Sequence, residues 1–273
     1  MMKKPKGSLI IIGGGDKRVE AMPILEEIAS RVAPTKQPLM VVTVATYSPD
    51  GAADEYIQVF KDLGLQHVEL LDIRTREEAY DQEYVHRCKG VGGVFFIGGD
   101  QLRITSQMGD SPVYRCLQDH YLDGTLIAGT SAGAAAMPET MIIAGPGDES
   151  NRVAALSMAP GLGLIRDVVI DSHFAERGRM GRLLGAVAQN PRNLGLGIDE
   201  STAILVERSE RFRVLGDGAV YVVDGTEISY SSLSEDRAGG VVSIFNTKVH
   251  VLGKDDCFDL KARQPVIPQE QTE

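Results

Sequence analysis

Thr125–Met137, TLIAGTSAGAAAM, runs from an apolar stretch through Gly129-Thr-Ser-Ala-Gly133 into a segment of small residues. The apolar run predicts a buried strand, and the alanine-rich stretch after it predicts the start of a helix. G-x-S-x-G between strand and helix is the signature of a nucleophile elbow, a turn tight enough to need glycine on both flanks, which lifts the serine hydroxyl above the sheet edge. The backbone N–H of Ala132 would then face the reacting oxygen from the positive end of the helix. A serine that merely closes a turn would use the same residues, so Ser131 has to be weighed with whatever else reaches that edge.

Outward from this stretch, Ser8–Ile12, Leu39–Thr46, Val68–Leu71 and Val94–Ile97 are short, mostly β-branched runs bounded by Gly, Asp or Pro. That is the pattern of strands buried on both faces, as in a parallel sheet. Between them Val19, Met22, Leu25, Ile28 and Val32, and then Tyr56, Val59, Phe60 and Leu63, recur at helical spacing. Alternating strand and helix predict an α/β sheet covered by helices. Val168–Asp171 and Leu194–Ile198 are expected to add two strands to the same sheet. After about Asn193 the segments TAILVE, RFRVLG, AVYVV, EISY, VVSIF and KVHVL follow one another without a helical period, so the last third is expected to be largely β. The expected organisation is one domain over 1–273, with an α/β catalytic core at 8–200, a β-rich extension of the same domain at 201–260, and a poorly ordered polar tail at 261–273.

A chain of 273 residues can bury about 70% of its unfolded surface and needs no covalent staples. Its three cysteines, Cys88, Cys116 and Cys257, are odd in number and read as reduced thiols. A net charge of −10, no tryptophan and 5% aromatic residues argue against a nucleic-acid partner, through long-range repulsion and the lack of stacking platforms. The apolar run Leu9–Ile12 is too short for a signal segment, and nothing approaches the 18 or more apolar residues of a spanning helix. No membrane partner and a cytoplasmic location are therefore expected. Gly13-Gly14-Gly15-Asp16 has Arg18 where a dinucleotide fingerprint needs its third glycine, so it is expected to be a tight turn between strand and helix.

A nucleophilic serine needs a base. His67 opens an apolar strand, His86 and His120 sit in charged helical stretches, and His250 lies between valines on a C-terminal strand. His173 directly follows the strand VVID, which brings it to the same edge as the elbow. The third member should be a carboxylate that fixes the imidazole tautomer and stabilises the imidazolium. Asp199 and Glu200 both reach that edge after LGLGI, and since adjacent strand residues face opposite ways, only one of them can serve. An α/β-hydrolase would instead place its acid before the histidine, at Asp148 or Asp167.

Four segments in order, FIGGDQ (96–101), GTSAGA (129–134), DSHFAERGRMGRL (171–183) and GIDESTA (197–203), closely resemble the cyanophycinase family. These are serine exopeptidases that cut the storage polymer cyanophycin; they are related to bacterial aspartyl dipeptidases and share their fold with class I glutamine amidotransferases. The resemblance implies a three-layer α/β sandwich with a mainly parallel central sheet and a β-rich C-terminal extension. It implies a triad of Ser131, His173 and Glu200, an oxyanion hole from the N–H groups of Gly99 and Ala132, no metal or other cofactor, and a homodimer. The implied reaction is hydrolysis of cyanophycin, or of an aspartyl-arginine peptide, to β-Asp-Arg dipeptides through an acyl-enzyme. A related aspartyl or isoaspartyl dipeptidase, or a catalytically silent binding protein on the same fold, are the alternatives.

The resemblance also implies substrate contacts at Gln101, Asp171, Arg177, Arg179 and Arg182, and at Ser172, where the family usually has glutamine. Each unit of cyanophycin offers a guanidinium and a free α-carboxylate, so a pocket of two signs is expected, Asp171 taking the guanidinium and Arg177 and Arg179 the carboxylate. A solvated helix face would carry the same charges. The stripe Met180, Leu183, Leu184, Val187 must face the core, which leaves Arg179 on a flank and Arg182 pointing nearly away.

Overall fold

The computed structural model describes residues 4–16, 21–48, 51–144, 156–234 and 242–267. In chain order its first half places β1 (Ser8–Ile12), α1 (Met22–Val32), β2 (Leu39–Val42), α2 (Ala52–Asp62), β3 (Val68–Leu71), α3 (Gln82–Arg87), β4 (Gly93–Phe96), α4 (Gln101–Arg103), α5 (Pro112–Asp123), β5 (Leu126–Thr130) and α6 (Ala132–Ala135). There follow β6 (Thr140–Ala144), β7 (Ser157–Pro160), β8 (Val168–Ser172), α7 (Met180–Gln189), β9 (Leu194–Ile198), β10 (Thr202–Glu207), β11 (Arg211–Gly216) and β12 (Val220–Asp224). The last strands are β13 (Tyr230–Ser231), β14 (Ile244–Phe245), β15 (Lys248–Leu252), β16 (Cys257–Asp259) and β17 (Gln264–Val266).

Nine strands form the central sheet, in the order β17-β16-β11-β10-β1-β5-β4-β2-β3. The five from β1 to β3 run parallel, and β10, β11, β16 and β17 continue the sheet antiparallel. Alternation along β1 shows how it is covered. Ile10 and Ile12 pack with Ile24, Leu25 and Ile28 of α1 and with Tyr56 and Phe60 of α2. Leu9 and Ile11 face the other way, into a cluster with Val113 and Leu117 of α5. This is the α/β architecture expected from the periodicity. Val19 of the predicted first helical stripe lies outside the described residues.

Two expectations are corrected. Val168–Asp171 and Leu194–Ile198 do form strands, but in a second sheet, of order β15-β12-β9-β8, that packs over one face of the first. Val168, Ile170, Leu194, Leu196 and Ile198 point into the cluster shared with the central sheet. On the opposite face Val169 and Val223 meet Leu183, Ala186 and Val187 of α7. Gly195 and Gly197 make that closeness possible: a Cβ would lie 2.8 Å from Leu183 Cγ at the first and 2.5 Å from the Phe174 ring at the second. The expected tail is also ordered in part, since Gln264–Val266 pairs with β16. Residues 268–273 of that tail lie outside the described residues.

Candidate active site

The site lies where the two sheets meet. Ser131 stands between β5 and α6 with φ 53° and ψ −111°, a conformation that costs an L-residue of order 1–3 kcal/mol and persists only where the surroundings enforce it. Two of the enforcing features are visible. The Ser131 N–H donates to Ile12 O at 3.1 Å. Gly129 and Gly133, the flanks of the motif, are pressed so close that a Cβ on Gly129 would lie 2.8 Å from the backbone of Gly133, and one on Gly133 2.5 Å from Phe96 O.

His173 follows β8, also at positive φ (49°), and Glu200 lies in the crossover from β9 to β10. Ser131 Oγ is 2.8 Å from His173 Nε2, and His173 Nδ1 is 2.6 Å from Glu200 Oε1. The imidazole and the carboxylate are 14% and 15% exposed, so the chain is shielded from bulk water except where the serine opens outward. Asp199 turns the other way, as alternation requires. It is 8% exposed and accepts the backbone N–H of Ala175 at 2.9 Å and of Ala219 at 3.1 Å. Burial holds the Asp199 carboxyl above its ordinary range, although both N–H groups and their favourable dipoles pull against that shift. Asp167, an acid considered for the hydrolase order, is paired with Arg192 at 2.6 Å at the other end of β8. Asp148 lies outside the described residues.

Gly99 is exposed in the turn after β4, and Ala132 opens α6. Among the described residues no protein acceptor takes the N–H of either. Gln101 Nε2 donates to Ile142 O at 2.7 Å. Ser172 is buried, and its carbonyl oxygen accepts from Arg179 Nη1 at 2.7 Å. Arg177 is exposed, three residues past the phenylalanine that packs on Gly197.

Asp171, expected to take a substrate guanidinium, is already paired within the protein. Its side chain is 1% exposed on the α7 side of the second sheet, with Oδ1 held by Arg179 Nη1 at 3.0 Å and Oδ2 by Arg182 Nε at 2.8 Å. Arg182 Nη2 also reaches Oδ1. Two guanidinium groups already occupy this carboxylate, so a substrate guanidinium could enter only by displacing one. Arg182 therefore does not point away; its stem is long enough to return from the start of α7 to the strand.

What the sequence did not disclose is the work of Gly13–Asp16. The carbonyl of Gly13 accepts the His173 N–H at 2.7 Å, and that of Gly14 accepts the Ser201 N–H at 2.8 Å. Asp16, 4% exposed, accepts the hydroxyl of Thr130, beside Ser131, at 2.5 Å and that of Tyr56 at 2.7 Å. Burial and the neighbouring carboxylate push the Tyr56 phenol far above its ordinary range, so it stays a donor. One turn thus fastens the strand ends that carry Ser131, His173 and Glu200. Gly14, at φ 109°, lies against the imidazole: a Cβ there would sit 2.2 Å from His173 Cε1. Gly14→Ala is expected to displace the ring and lower kcat by about 10²-fold, as misplacement of a reacting group by about 1 Å does. Steady-state kinetics with circular dichroism at the assay temperature checks this, and a folded variant with wild-type kcat would refute it.

Among the described residues no cluster of three or more His, Cys, Asp or Glu is placed to hold a metal ion, and no helix is long and apolar enough to cross a membrane.

An α/β sheet bearing a serine on a strained strand-to-helix turn, joined through histidine to glutamate, is the arrangement of a serine-type hydrolase. The chain belongs to peptidase family S51, whose model matches residues 9–214. It is 38% identical over 264 residues to the cyanophycinase of a Nostoc species, covering 96% of this chain and 88% of that one. It is 36% identical over 265 residues to the cyanophycinase of Geminocystis herdmanii, covering 96% of each. A solved peptidase from an acI-B1 actinobacterium superposes with a TM-score of 0.66 at 18% identity, covering 94% of this chain and 98% of that one, a likeness of fold.

Proposed function

We propose that this peptidase hydrolyses cyanophycin to β-Asp-Arg dipeptides through an acyl-enzyme on Ser131. The observation that carries the proposal is the unbroken hydrogen-bonded chain from Ser131 Oγ through His173 to Glu200, with distances of 2.8 and 2.6 Å. In this mechanism His173 Nε2 takes the serine proton as Oγ attacks the scissile carbonyl, while Glu200 holds the Nδ1 proton and stabilises the imidazolium. The oxyanion draws on the N–H groups of Gly99 and Ala132. The imidazolium then protonates the leaving amine, and a water activated by the same histidine releases the acyl group. Arg177, exposed near the base, is the candidate receiver of a substrate carboxylate, and the Asp171–Arg179–Arg182 cluster its support. A cytoplasmic location and a homodimer are part of the proposal, the first resting on the sequence reading and the second on the family resemblance.

Incubation with purified cyanophycin, followed by mass spectrometry, should give β-Asp-Arg as the dominant product. Intact polymer after prolonged incubation with folded protein would overturn the assignment.

A further inference from the structure

With Asp171 neutralised by two arginines, the guanidinium of the substrate needs another acid close to Ser131. One stands on the turn that carries the Gly99 N–H. A Cβ on Gly98 would lie 3.4 Å from Ser131 Cβ, which puts this turn directly against the nucleophile. The Asp100 N–H donates to Ala45 O at 2.9 Å, binding the turn to the loop after β2. In that loop Tyr47 is 72% exposed, the largest exposure of any aromatic residue among the described residues.

Tyr47 is nonetheless held in place. Its hydroxyl donates to Asp100 Oδ2 at 3.1 Å, and the Arg103 guanidinium covers one ring face, 4.5 Å from the centroid. Arg103 is fixed in turn by donating from Nε to Val44 O at 3.2 Å. A ring so restrained and so exposed is a platform, since it loses little freedom when something stacks on it. Asp100 differs from Asp171 in its donors. Among the described residues it accepts only neutral ones, the Tyr47 hydroxyl and, at Oδ1, the Leu102 N–H at 2.9 Å, so none of them brings a cation into contact with its negative charge. Glu176 is an exposed carboxylate near His173, but both its oxygens lie 3.2 Å from the Glu200 backbone nitrogen, toward the triad's acid.

We infer that Tyr47 and Asp100 form the subsite for the substrate guanidinium, which stacks on the open face of the ring and pairs with the carboxylate beside the oxyanion turn. The inference rests on the proposed cyanophycin-type substrate and assigns the groups that select its arginine. A planar cation suits the platform because it meets a ring face and an acid at once. Asp100 offsets the repulsion from Arg103 on the far side of the ring.

The test is calorimetric binding of β-Asp-Arg and of β-Asp-citrulline, its uncharged isostere, to the Ser131→Ala protein. The arginine dipeptide is expected to bind roughly 5- to 30-fold more tightly. Adding Tyr47→Ala or Asp100→Asn should bring the two affinities within about twofold while leaving that for citrulline unchanged. Asp100→Asn keeps the side-chain acceptor for Leu102, so it isolates the charge from the helix cap. Tyr47→Phe, which keeps the platform, should retain most of the preference and guards against loss through misfolding. Equal or undetectable binding of the two dipeptides by the parent, or a preference that survives both substitutions, would overturn the subsite. Cyanophycin hydrolysis by the wild type is scored separately. Arginine-selective binding without hydrolysis would refute the activity and leave the subsite standing, whereas hydrolysis without selectivity would refute the subsite alone.

Discussion

Ser131→Ala and His173→Ala are each expected to lower kcat by roughly 10⁴- to 10⁶-fold, and the double variant scarcely further, because nucleophile and base act as one unit whose losses do not add. The 2.8 Å contact between Oγ and Nε2 is the reason: without the ring the hydroxyl keeps its proton, and without the hydroxyl the ring has nothing to activate. Stability separates the two. Alanine at position 131 keeps the positive φ of the turn and its strain, so Ser131→Ala should unfold near the wild-type midpoint, and Ser131→Gly above it, since glycine adopts that region freely. Turnover above that of contaminating peptidase in either single variant, or a double variant far below both, would remove the triad from the mechanism.

Glu200→Gln should lower kcat by roughly 10²- to 10⁴-fold with little change in KM, because an amide can hold the ring but supplies no charge to the imidazolium that forms in the transition state. Its neighbour gives the control. Asp199→Asn removes an acceptor from one of two backbone N–H groups and leaves the imidazole's partner in place, so its effect on kcat should stay within about tenfold. A larger loss at Asp199 than at Glu200 would mean that the wrong carboxylate has been assigned. Asp199 has a signature of its own in stability. A carboxyl raised by burial above its ordinary 3.8 binds a proton more tightly folded than unfolded, so its contribution is present at low pH and fades as pH rises through the folded value. The unfolding free energy of wild type minus that of Asp199→Asn should therefore decline upward from about pH 4. A flat difference would contradict the burial of that charge.

The elbow, the base and the two candidate acids were legible because each is tied to a strand end, and strand ends in this chain are marked by glycine and by β-branched runs. The sheet to which a strand belongs was not. Val168–Ser172 and Leu194–Ile198 are buried on both faces in either arrangement, and burial on both faces writes the same residues whichever neighbour a strand pairs with. Gly195 and Gly197 were the available sign, since alternate glycines on one face of a strand announce something packed closely against it. Arg182 was misjudged because a helical wheel fixes the direction of a Cβ but not the reach of a long side chain. Gly13–Asp16 was recognised as a turn, yet its carbonyls meet residues 160 and more positions away, and no local pattern records such a partner.

Ser131 and the Gly99 turn belong to the central sheet, while His173 follows a strand of the second and Glu200 sits on the crossover between them. Neither layer alone brings the three side chains together. Under the proposed mechanism a chain whose layers have come apart holds an ordinary serine, as unreactive as those on its surface, even where each sheet keeps its strands. Loss of hydrolysis would then report the parting of the layers before any loss of secondary structure.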